Sequence, residues 1–192
     1  MYHALLEDSR FLAVLLGIDL EVAAAARAAG CDCGGPLHQG NFARKPRGVP
    51  GERVEGAEIR LSFCCGREGC RKRMTPASVR FLGRRVYWGV VVVIGAAFEG
   101  GVTANRVRGL AELIGYPIDR RTLTRWVSWW REGLPKSRIW KVMKGLFRRK
   151  VEMDLLPLSL LEMMEMMAGP DAATRVTGVL ELLSGRRIDR AM

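Results

Sequence analysis

Cys64-Cys65-Gly66-Arg67-Glu68-Gly69-Cys70, read together with the earlier Cys31-Asp32-Cys33-Gly34-Gly35, decides how the first half of this chain folds. Two pairs of thiolates from separate turns can close a tetrahedral zinc site, and the glycines let each turn tighten so that backbone amides approach the sulfurs. This is the layout of a zinc ribbon. The stretch Ile59-Arg60-Leu61-Ser62-Phe63 alternates apolar and polar residues as a strand does, and would deliver the second cluster to the metal. Five cysteines compete for four places. Adjacent strand residues point to opposite faces, so Cys64 and Cys65 do not ligate together, and Cys65 with Cys70 makes the more compact turn. The expected ligands of Zn2+ are therefore Cys31, Cys33, Cys65 and Cys70. Only one residue separates the first pair, which compresses its knuckle, and His38 stands by as a substitute ligand. Reduced structural thiols or redox-active thiols are the alternative, although Cys64-Cys65 is a poor match for a spaced redox pair.

Outward from the cysteines, charge is the next signal. The 192-residue chain carries a net charge of +11, and it is unevenly placed. Residues 1–33 sum to −3, residues 34–90 to +8, residues 91–100 to −1, residues 101–150 to +10 and residues 151–192 to −3. Two concentrated basic blocks between acidic ends look like a footprint for a polyanion. The first block includes the loop Asn41 to Pro50, which proline and glycine keep thin and extended. Such an arm can lay Arg44, Lys45 and Arg47 into a minor groove; a solvated basic loop is the plainer alternative.

The second block falls on helices. The apolar run Val86 to Phe98 is too short to cross a bilayer and reads as a buried helix. Thr103 can cap a helix through Ile114, and Asp119 can cap another running from Arg120 to Arg131, which Gly133-Leu134-Pro135 would end. Leu123, Trp126, Val127 and Trp130 share one face of that helix and are expected to pack inward, the tryptophans as core rather than as base-stacking platforms. Arg120, Arg121, Thr124, Arg125 and Ser128 then occupy the open face, where a recognition helix meets base edges and phosphates. A solvated face is the competing reading. Ser137 should cap a further basic helix, Ile139 to Lys150.

The flanks are helical as well. Residues 3–29 read as two short amphipathic helices; Glu7 and Asp8 replace the positive charge a secretory signal needs, so the expected location is the cytoplasm, near the nucleoid. Clustered cysteines in that reducing compartment are more often metal ligands than disulfides. After Lys150, a methionine-rich amphipathic segment runs to Met167, Gly169-Pro170 breaks it, and a last helix spans about residues 172–183. Methionine stripes serve as adaptable core, or less often as a surface for a second copy of the chain or a recombinase partner.

Several motifs in this order carry a family likeness: Cys33-Gly34-Gly35-Pro36-Leu37-His38, Arg44-Lys45-Pro46-Arg47-Gly48, Leu61-Ser62-Phe63-Cys64-Cys65, Gly69-Cys70-Arg71, Thr75-Pro76, Ser78 to Tyr87, and Arg121-Thr122-Leu123-Thr124-Arg125-Trp126. Over residues 30–150 the chain resembles bacterial transposase-like proteins that join a zinc ribbon to a homeodomain-like helix-turn-helix. The resemblance implies recognition of element ends or an operator by the ribbon and helical parts. It carries no catalytic domain, since a strand-transferring nuclease needs carboxylates converging on two metal ions and the segment after Lys150 is too short and too helical for that.

The expected fold is thus mostly α with a small β zinc ribbon: N-terminal helices (1–29), ribbon with basic loop (30–83), trihelical helix-turn-helix (84–150) and C-terminal amphipathic helices (151–192). The expected function is non-enzymatic, sequence-preferring binding of double-stranded DNA as an accessory, remnant or regulator of a mobile element. An RNA-binding ribbon protein and the DNA-binding portion of an active transposase are the alternatives.

Overall fold

In the computed structural model, residues 2–44, 55–82, 86–98, 101–114, 117–147 and 151–186 are described. A 3-10 turn, Tyr2–Leu6, leads into α1, Ser9–Ala29, whose first turn is capped by the Asp8 carboxylate accepting from the Arg10 amide. The N-terminal pair of helices expected from the sequence is thus one turn and one 21-residue helix. Gly17 does not interrupt it, because an isolated helical glycine costs only about 1 kcal/mol and the packing of the rest compensates. Phe11, Leu12 and Leu15 of α1 are buried in one core and Ala23 in another. This helix is shared between two hydrophobic clusters.

The smaller cluster belongs to the cysteine module. Its strands are β1 (Leu37–Gln39), β2 (Phe42–Ala43), β3 (Ile59–Arg60), β4 (Phe63–Cys65) and β5 (Arg73–Met74). They form an antiparallel sheet in the order β1-β4-β5 and a separate hairpin β2-β3. The run from Ile59 to Cys65, expected as one strand, changes partner at Leu61-Ser62. Its first part pairs with β2 and its second with β1. Asn41 and Ser62 stabilise the crossing, with the Ser62 amide donating to Asn41 Oδ1 at 3.0 Å and the Ser62 hydroxyl donating to the Gly40 carbonyl.

Strands β6 (Phe81–Leu82) and β7 (Val86–Tyr87) pair as a hairpin and lead into the helical half. That half contains α2 (Trp88–Ala97), α3 (Ala104–Ile114), α4 (Arg120–Ser128), α5 (Leu134–Lys136), α6 (Arg138–Met143), α7 (Leu158–Ala168) and α8 (Ala172–Ser184). The caps at Thr103, Asp119 and Ser137 form as the sequence suggests, each oxygen accepting an amide from the first turn. The larger core draws Val91 and Val92 from α2, Leu110 from α3, Leu123 and Trp126 from α4, and Val176, Val179 and Leu180 from α8. Helix α4 packs mainly on α2, whereas α3 lies against the N-terminal turn and α7 against α8.

Two element ends depart from expectation. Gly133-Leu134-Pro135 does not stop the helix after α4; the backbone widens into a π segment, Trp129–Gly133, and passes directly into α5. Pro135 falls in the first turn of α5, immediately after the widened π segment. The helix after Ser137 is also shorter, ending in a 3-10 turn at Lys144–Leu146. No described helix is long and apolar enough to cross a membrane.

Candidate metal centre and basic surface

The sulfurs of Cys31, Cys33, Cys65 and Cys70 all lie within 4.8 Å of one another, close enough to hold one metal ion. Cys31 and Cys70 are 3.8 Å apart and Cys33 and Cys65 are 3.5 Å apart. Sulfurs at the corners of a tetrahedron with metal bonds of about 2.3 Å would be separated by about 3.8 Å. A disulfide would require about 2.05 Å, and all five cysteines are free. The spacing therefore fits a metal cage and not a pair of cross-links.

Each half of the cage has a local cause. In the first, Gly34 takes a left-handed conformation (φ +77°) and its amide donates to the Cys31 carbonyl at 2.7 Å, which folds the chain tightly enough for a one-residue spacing to serve. Gly35 must be glycine for a second reason: a Cβ there would stand 2.7 Å from Cys65 Sγ and 3.3 Å from Cys33 Sγ. In the second half, the Arg67 amide donates to Cys65 Sγ at 3.4 Å and the Cys70 amide to the Arg67 carbonyl at 3.1 Å. The halves are tied by Arg67 Nη1 donating to the Cys33 carbonyl at 2.5 Å and by a Lys72–Asp32 ion pair at 2.5 Å.

Electrostatics favour a cation at the centre. The Gly35 amide, assisted by neighbouring thiols, lowers Cys33 to about 6. At Cys65 the Arg67 amide pulls downward, but burial and the three other sulfurs outweigh it and push the thiol up to about 12. Cys31 is raised as well, the amide of Cys33 opposing its neighbours and its burial. Four thiolates cannot crowd together unaided; a divalent metal removes that repulsion.

Cys64 and His38 are not part of the cage. They face each other across β1 and β4, in register, while Leu37 pairs with Cys65. Strand alternation thus sends Cys64 and Cys65 to opposite sides, as the sequence argument required. His38 is exposed and lies over Gly66, where an added Cβ would overlap its ring.

The proposed nucleic-acid contacts are distributed over two places. Arg120, Arg121, Thr124 and Arg125 are exposed on α4, Ser128 is half-buried, and Leu123, Trp126 and Trp130 form the opposite, buried face. Val127 packs partly against the same core. Trp130 is anchored by its Nε1 donating to the Val91 carbonyl of α2 at 3.0 Å, so the tryptophans are structural. Among the described residues Arg120, Arg121 and Arg125 form no ion pair; Arg125 donates to Thr122 Oγ1 at 3.2 Å and Thr124 to the Arg120 carbonyl at 3.0 Å. In the ribbon, Arg44 is half-buried against Phe42, whereas Lys45 and Arg47 lie outside the described residues.

One pair of residues has a role that the sequence did not disclose. Arg80, counted with the first basic block, is fully buried, and so is Asp19 of α1. Arg80 Nε donates to Asp19 at 2.8 Å, and its other nitrogens donate to the carbonyls of Gly56, Ala57 and Ile59. Asp19 also accepts from the Ser78 hydroxyl at 2.5 Å and the Val79 amide at 2.8 Å. This charge fastens the ribbon to α1 and is withdrawn from any polyanion. Nothing local could have signalled it, because the partners are separated by 61 residues. The chain matches no protein-family model, no curated protein and no solved structure.

Proposed function

We propose that this protein is a non-enzymatic, sequence-preferring binder of double-stranded DNA, in which one zinc ion staples the ribbon and α4 supplies the main contact surface. The observation that carries the reading is the exposed face of α4. Three arginines are exposed there and form no ion pair among the described residues, on a helix whose opposite face buries Leu123 and Trp126. An ordinary solvated helix face mixes both signs of charge, often in pairs one turn apart. The succession of α3, a short connection and α4 is what supports a helix-turn-helix with α4 as its recognition helix, while α3 itself lies against the N-terminal turn.

Zinc follows from the donor set: four sulfurs in tetrahedral spacing suit a soft site, and a filled coordination sphere leaves no place for a reacting water. That favours a structural over a catalytic metal. The resemblance of the sequence motifs to those of transposase-like proteins, which no family model matches, motivates a role as accessory, remnant or regulator of a mobile element.

The test is binding of zinc-loaded protein to a random duplex pool over a salt series. Selection of a preferred sequence is expected, with affinity falling steeply as salt rises. Arg121→Ala should weaken binding several-fold, with metal content unchanged. Absence of both salt-dependent binding and sequence preference would sink the proposal, and preferential capture of structured RNA in competition would redirect it.

A further inference from the structure

The basic segment around Ser137 is used by neither the metal cage nor the arginine face of α4. From Leu134 to Phe147 the chain carries Lys136, Arg138, Lys141 and Lys144 and not one acidic residue. All four cations are exposed, on α5, on α6 and on the 3-10 turn that closes α6. Arg138, Lys141 and Lys144 follow one another at three-residue intervals, which makes them neighbours on the helix surface, where like charges repel. The fold holds them there by burying the other side. Leu134, Trp140 and Met143 enter the same core as Leu123 and Trp126 of α4.

This surface is fixed relative to α4. Helical backbone runs from Arg120 through the π segment to Lys136 without a gap, and Ser137 then makes the corner. Its amide and hydroxyl both donate to the Leu134 carbonyl, at 2.9 and 2.7 Å, and its Oγ accepts the Trp140 amide at 3.1 Å. One side chain thus closes α5 and opens α6. The chemistry on offer differs from that of α4. Between Leu134 and Phe147 there is no Asn, Gln, Asp, Glu or Thr to read a base edge, and the one hydroxyl, Ser137, is committed to the corner. Three of the four cations are lysines, compact point charges of the kind that meet phosphate. Val142 and Leu146 are exposed beside them, but the apolar side of α6 is spent on the core, which leaves no amphipathic face for a lipid surface.

We propose that Lys136, Arg138, Lys141 and Lys144 form a clamp for the phosphodiester backbone of the duplex whose bases α4 reads. The clamp rests on the DNA reading and divides its work: α4 selects sequence, and the surface around α6 supplies affinity that is indifferent to sequence. A row of phosphates would also relieve the mutual repulsion of the three cations that follow Ser137.

The experiment compares the full chain, zinc-loaded, with a variant carrying Lys136→Gln, Arg138→Gln, Lys141→Gln and Lys144→Gln together. Over a salt series the slope of log affinity against log salt should fall by about 3 in the variant, since each phosphate contact contributes about 0.9. The ratio of affinities for a selected and a scrambled duplex should be retained, because phosphates carry no sequence information. An unchanged slope overturns the clamp and leaves DNA binding by α4 standing, and a collapsed ratio overturns the division of work. Absence of duplex binding by the unaltered protein overturns the DNA reading and the clamp with it. Should the variant lose its fold, the unaltered protein decides. Lys136, Lys141 and Lys144 should resist acetylation when duplex is bound at low salt, and undiminished reactivity, or protection by vesicles of anionic lipid but not by duplex, would refute the proposal.

Discussion

At Cys65, burial and three crowding sulfurs hold a proton on the thiol far above neutrality, while the Gly35 amide has already drawn it from Cys33. Metal loading near pH 7 must therefore displace protons from Cys65 and from Cys31, which is also raised, and hardly any from Cys33. Calorimetry in two buffers of different ionisation enthalpy should count at least two protons released per metal bound, and affinity should fall as pH is lowered because protons compete for the same sulfurs. A release of fewer than one would contradict this electrostatic picture. The cage was the most legible feature of the sequence, because thiols cluster for few reasons and strand alternation alone separates Cys64 from Cys65. Asp19 and Arg80 were illegible for the opposite reason. Charged residues belong at the surface by default, and only their joint burial reveals that they serve each other.

Among the elements, α2 and the π segment after α4 depend on each other at one point. Gly95 of α2 lies directly against Trp130, so that a Cβ there would be 2.5 Å from Trp130 Nε1 and 2.8 Å from Pro157 Cδ. Gly95→Ala would push the indole away from the Val91 carbonyl to which it donates. Overpacking of a tight core costs typically about 1–3 kcal/mol, so denaturant unfolding should show a loss in that range, and an unchanged midpoint would argue against the packing. Helix starts were readable because Asp119, Thr103 and Ser137 cap by short-range chemistry. Helix ends were not: Gly133 and Pro135 look like breakers, but the backbone widens into a π turn and runs on through both. The change of partner between β3 and β4 was hidden too, because alternation of apolar residues reports a strand without naming its neighbour.

On the scale of the whole molecule, the Asp19–Arg80 pair is the staple between the cysteine module and α1. Removing one member of such a buried pair leaves the other charge unpaired and costs about 3–5 kcal/mol. Asp19→Asn should therefore lower stability by that order in denaturant titration while the four sulfurs still bind metal, and a loss under about 1 kcal/mol would deny the pair its structural role. Helix α1 itself belongs to both cores, giving Phe11, Leu12 and Leu15 to one and Ala23 to the other. A natural-looking place to cut the chain, after Ala29 where the helix ends and the cysteines begin, is consequently a poor one. A fragment starting at Gly30 would keep every sulfur of the cage and every arginine of α4, yet lose a wall from each hydrophobic interior and the counter-charge of Arg80. The helix that precedes the cysteines is the beam on which both halves rest.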